Sequence, residues 1–172
     1  MNEQDEIQAK WNMDAALNHI YINEIMFVSM VFLIFLGEVI LEVFDRPGIF
    51  YWLLMTPVFC FFSILSAKTK ASATGHKIKN LYRYQFLYWG SAFIAVLLVF
   101  LSWHAEMIKA SAAGIVIHII LAHTVFLNGI ILGVRFYLIG GLLFCTAALT
   151  ILMQTTLYLF RPLIFIIFSS LQ

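Results

Sequence analysis

Residues 112–134, "AAGIVIHIILAHTVFLNGIILGV", run from end to end without an Asp, Glu, Lys or Arg. A helix needs roughly 20 mostly apolar residues to cross the hydrocarbon core of a bilayer. This stretch is long enough, and it is not alone. Further apolar runs lie at 25–44, 48–67, 86–103 and 136–153, with a shorter one at 157–171 that Arg161-Pro162 interrupts. Proline removes a backbone donor and bends or stops a helix. The last run therefore reads as a sixth span or as a helix broken at the proline, with six spans preferred over five.

Composition agrees with that reading. The chain has 172 residues, of which 63% are hydrophobic and 11% charged, and its mean hydropathy is +0.95. Soluble domains carry about 25% charged residues. A core of this size leaves much apolar surface over, and lipid is the environment that accepts it. The fold class expected is an all-α polytopic transmembrane helical bundle. A net charge of +1 gives no reason to expect a nucleic-acid partner. Cys60 and Cys145 sit inside apolar runs and read as small buried hydrophobes, with no disulfide or metal-ligand spacing.

Two segments follow from this. Residues 1–24 are polar and acidic at the start, so they lack the basic opening of a secretory signal. Ile7, Trp11, Leu17 and Tyr21 recur near helical spacing, which predicts a short amphipathic helix on the membrane surface or against a neighbouring protein. Residues 25–171 form the transmembrane bundle. The stretch 67–85 holds Lys68, Lys70, Lys77, Lys79 and Arg83 and no acid, so it is expected on the cytoplasmic side. The N-terminus then lies inside as well, in a cytoplasmic or inner membrane. Tyr51, Trp52, Tyr88, Trp89 and Trp103 fall near span ends and read as interfacial aromatic belts.

The polar residues inside the spans carry the functional reading. "FLGEVILEVF", residues 35–44, places Glu38 and Glu42 four apart on one helical face. A carboxylate deep in lipid costs about 2.5–3.5 kcal/mol on insertion scales, so it normally faces the bundle interior with a partner or a task. Counted at 1.5 Å per residue from the outer end, Glu42 lies roughly 4 Å deep and Glu38 roughly 10 Å. On the fourth run His118 lies roughly 5 Å deep and His123 roughly 13 Å, about 140° apart around the helix. They cannot easily serve one site, and a haem held axially by both is ruled out. His118 is the better partner for the glutamates, because it shares a face with Gly114, Ala122, Gly129 and Gly133. That small-residue face contains Gly129-x-x-x-Gly133, a pattern that lets another helix approach closely.

Carboxylates and an imidazole can relay protons, because both titrate, or hold a divalent cation, because both are ligands. They can also be a static network that fixes helix register. Asn128 is expected to hydrogen-bond across helices and Arg161 to anchor at the interface. Thr146, Thr150 and Ser91 can satisfy themselves on their own helix and say little. Gly140-Gly141 permits close packing. No phosphate loop, nucleophile elbow or zinc-protease motif occurs, and no catalytic residue is assigned.

The leading expectation is a small transport or channel subunit that handles protons or cations through Glu38, Glu42 and His118. So short a chain seldom encloses a whole pathway, so a homo-oligomer or a larger membrane complex is expected. The alternatives are an accessory or assembly subunit whose buried polar groups only pack, and an intramembrane metal-dependent enzyme. A divalent metal on Glu38, Glu42 and His118 is the weakest of these, and no other cofactor is expected.

Overall fold

The computed structural model describes residues 21, 23–40, 43, 45–74 and 78–169, of which 45–47, 71–74, 78–81 and 157–169 are described as backbone only. The amphipathic segment expected at the N-terminus, up to residue 20, lies outside the described residues, as does Glu42. Among the described residues five helices are long and apolar enough to span a membrane. They are α1 (Asn23–Ile40), α2 (Asp45–Thr74), α3 (Ile78–His104), α4 (Ala110–Leu132) and α5 (Val134–Ser169). The chain is an all-α bundle of the membrane-protein type.

The described residues form five such helices and not the six expected. Helix α5 runs without interruption from the fifth apolar run through the last, so Arg161-Pro162 does not separate two elements. The side chain of Arg161 lies outside what is described.

Helix α4 sits at the centre and packs against α2, α3 and α5. Its buried residues, Ala113, Gly114, Ile117, His118, Leu121, Ala122, Val125 and Gly129 among them, recur at three- and four-residue steps. Against them lie Trp52, Met55 and Phe59 of α2, Trp89 and Val96 of α3, and Ile139 and Leu143 of α5. The outward faces are also apolar, with Phe32, Val39, Leu54, Phe61, Ile94, Leu98, Leu138 and Leu152 exposed. Such a surface suits lipid, and helices satisfy their own backbone groups there.

The helix ends explain the connections. After α3, Glu106 N–H bonds Trp103 O at 2.9 Å and Met107 N–H bonds Ser102 O at 3.0 Å. With Glu106 at φ 58° this is a Schellman cap, built on glutamate where glycine is usual. Helix α4 stops at Gly133, which has φ 112° and donates to Gly129 O at 2.8 Å. Gly133 is thus a terminator outside the helix, and it does not extend the small-residue face expected at Gly129-x-x-x-Gly133. Helix α5 starts at the next residue, so α4 and α5 form a hairpin with a one-residue connector. Lys70 Nζ donates to Ile131 O at 2.5 Å, placing a cation at the negative end of α4.

Other sequence expectations change with packing. Trp52 and Trp89 are buried, at 0% and 2% exposure, so they are core residues and not part of an interfacial belt. Trp89 Nε1 and Ser63 Oγ both donate to Gln85 Oε1, at 3.1 Å and 2.7 Å, which ties α2 to α3. Cys145 is exposed on α5 and Cys60 is half-buried, because each apolar run has an outward face as well as an inward one.

Candidate functional site

The site lies in the half of the bundle where α1 ends and α4 begins. Glu38 is two residues before the end of α1, and His118 is in the third turn of α4. His118 Nδ1 lies 3.1 Å from Glu38 Oε1, and the imidazole is fully buried while the carboxylate is 18% exposed. The contact is close but off the axis of an ideal hydrogen bond at Nδ1. The other oxygen, Glu38 Oε2, accepts a hydrogen bond from Thr150 Oγ1 at 2.7 Å. On the far side of the ring Thr146 Oγ1 lies 3.3 Å from His118 Nε2. One file of polar groups therefore runs Thr150–Glu38–His118–Thr146 through α5, α1, α4 and back to α5.

Two further residues hold this file in place. Trp52 of α2 stacks on the imidazole with ring centroids 4.0 Å apart and planes 14° from parallel. An indole face accepts a neutral ring by dispersion and a cationic ring by cation–π attraction. Gly37, next to Glu38, lets α1 close onto α2. A Cβ at this position would fall 2.9 Å from Trp52 Cζ2 and closer still to the Tyr51 ring. Tyr51 Oη donates to Leu33 O at 2.5 Å, which ties the same two helices one turn away.

Proton positions follow from counting donors. Thr146 Oγ1 is also 3.1 Å from Leu143 O, yet a hydroxyl has one proton to give. If that proton goes to His118 Nε2, then Nδ1 carries the ring proton and faces Glu38. If it goes to Leu143 O, then Nε2–H donates to Thr146, and Nδ1 faces the carboxylate with a lone pair. Two lone pairs at 3.1 Å repel, so the second arrangement requires one more proton between Nδ1 and Oε1.

The remaining sequence candidates separate from this cluster. His123 is exposed on α4 and contributes nothing to the site. Asn128 is buried, but its Nδ2 donates to Thr124 O of its own helix at 3.1 Å, not across helices. Gly114, Ala122 and Gly129 are buried in α4 packing, Gly129 facing the Tyr137 ring across the hairpin. Among the described residues no three His, Cys, Asp or Glu side chains gather to hold a metal ion. Thr146, Thr150 and Trp52 were not legible as site residues: a threonine can always satisfy itself on its own helix, and a tryptophan near a span end looks interfacial.

The chain matches no protein-family model, and neither the curated proteins nor the solved structures yield a match.

Proposed function

We propose that this chain is a small membrane subunit that handles protons, and through the same groups other small cations, at the Glu38–His118 pair. The observation that carries this reading is the 3.1 Å contact between two ionisable groups within membrane-spanning helices, flanked on both sides by threonine hydroxyls. Bulk packing does not require such groups, and in lipid they are costly. In the cycle, one proton stays between Nδ1 and Oε1, and the pair takes up a second at Nε2 as Thr146 turns to Leu143 O. It releases the proton when Thr146 turns back to Nε2. Thr150 holds the carboxylate throughout. Glu42, four residues after Glu38 in the sequence, is the group we assign to carry protons between this pair and the membrane surface.

The chain works with its N-terminus in the cytoplasm, an orientation supported by the basic residues between the second and third spans. Five helices, four of them around central α4, leave little room for a complete pathway. The unit is therefore a homo-oligomer or part of a larger membrane complex.

A second reading is an accessory subunit in which the network only fixes helix register. The flat stacking of Trp52 on a fully buried imidazole favours it, since that ring is tightly held. Replacing Glu38 by Gln separates the two, because it keeps the volume and removes the titration. Proton flux into liposomes should be lost in Glu38→Gln and His118→Gln, reduced in Glu42→Gln and unchanged in His123→Gln, with thermal stability retained. A buried ion pair often fails to recover its desolvation cost, so Glu38→Gln can even gain stability. Full flux in Glu38→Gln would overturn the proton reading and leave the packing role.

A further inference from the structure

The opposite half of the bundle holds a cavity of about 340 Å³ between the start of α1, the end of α2 and the start of α5. Its chemistry is divided. Asn23, Ser66, Thr69, Lys70 and Arg135 give it a polar side, while Met26, Phe27, Met30, Phe136 and Ile139 give it an apolar one. Lys70 is held there by its bond to Ile131 O, and Arg135 by its pair with Glu24. Val134, which also lines the cavity, is 69% exposed, and Ile25, Val28 and Leu138 beside it are exposed apolar residues. The mouth therefore adjoins surface of the lipid-facing kind.

We propose that this cavity binds one anionic phospholipid, with its phosphate beside Lys70 and Arg135 and the start of an acyl chain on Met26, Met30 and Ile139. Three observations support this occupant over a soluble anion or an apolar ligand. Cationic and apolar walls meet in one cavity, which matches the join between a headgroup and its chains. The volume suits a headgroup with its first methylenes, at the small end of ligand sites, and the rest of the chain would lie along α1 or α5. The charge around it is positive, since Lys68, Lys70, Arg83 and Arg135 share this end and Glu24 is the one acid there among the described residues. Arginine suits the phosphate because its planar fork can keep Glu24 and still offer donors to a second anion.

Native mass spectrometry of the purified full chain in detergent tests this with phosphatidylglycerol and phosphatidylcholine of identical chains. One phosphatidylglycerol should bind per chain in preference to phosphatidylcholine. Arg135→Gln and Lys70→Gln should each weaken that binding by about five-fold, the usual effect of one basic residue at an anionic surface. Lys109→Gln, a lost cation at the other end of the bundle, should leave it unchanged. Should Lys70→Gln fail to fold, the rim variant Arg135→Gln decides alone. Equal binding of the two lipids would overturn the proposal, as would an equal effect of Lys109→Gln. Displacement of the lipid by millimolar inorganic phosphate would also overturn it, by assigning the site to a soluble anion.

Discussion

Alanine at position 140 would drive a methyl group into backbone. The Cβ would fall 2.5 Å from both the N and Cα of Phe126 and 2.6 Å from its Cβ. Comfortable carbon contacts are about 3.5–4.0 Å, so α4 and α5 must part by about 1 Å. Main-chain atoms cannot swing aside as a side-chain tip can, and overpacking of this kind costs about 1–3 kcal/mol. Alanine returns up to about 1 kcal/mol through its better helix propensity. Contacts of 2.5 Å to backbone place the cost in the upper part of that range, so the net loss is about 1–2 kcal/mol, or about 3–6 °C in melting temperature for a chain of this length. Gly141 is the matched control, because a Cβ there meets nothing within 4 Å. Gly141→Ala should raise the melting temperature by about 2–4 °C through propensity alone. Thermal unfolding in detergent, followed by tryptophan fluorescence, measures both. Shifts of the same sign in the two variants would refute the assigned α4–α5 register.

Thr150→Val removes the hydroxyl bonded to Glu38 and should cost about 0.5–2 kcal/mol in thermal unfolding, with proton flux reduced. Gly37→Ala pushes the Tyr51 and Trp52 rings off their seats, and a change in tryptophan emission should accompany a loss of about 1–3 kcal/mol. Glu106→Gly relieves the positive φ in the α3 cap and should gain about 0.5–1 kcal/mol in the same unfolding assay. For orientation, a cysteine at Ser72 should be labelled only when the cytoplasmic side is opened, whereas one at Ser111 should react from outside.

The fold class was legible because lipid imposes a blunt requirement: runs of apolar residues long enough to span it. The span count was less so. Arg161-Pro162 looked like a break, but α5 passes through it to Ser169. The expense of charge in lipid singled out Glu38, and the small-residue face of the fourth run, not depth, pointed to His118 over His123 as its partner. The structure sets the two 3.1 Å apart. Hydroxyl partners left no such trace. Thr150 spends its donor on Glu38, whereas Thr155 and Thr156 spend theirs on carbonyls of their own helix. Nothing in the residue type tells these apart. The glycine pattern misled for a related reason. Gly129 and Gly133 are one helical turn apart, but the helix ends between them and the second glycine serves the turn.

The one-residue connector at Gly133 has a bearing on how the chain tolerates changes in length. The α4–α5 hairpin is tightly registered: Gly129 faces Tyr137, Gly140 faces Phe126, and His118 meets Thr146. Without a loop to absorb an added residue, an insertion at this turn would shift α5 along α4 by about 1.5 Å and rotate it by about 100°. Thr146 and Thr150 would swing away from His118 and Glu38 while the helices themselves stayed helical. An indel of one residue, harmless in the connection between α3 and α4, would thus act here as a simultaneous double substitution in the polar file.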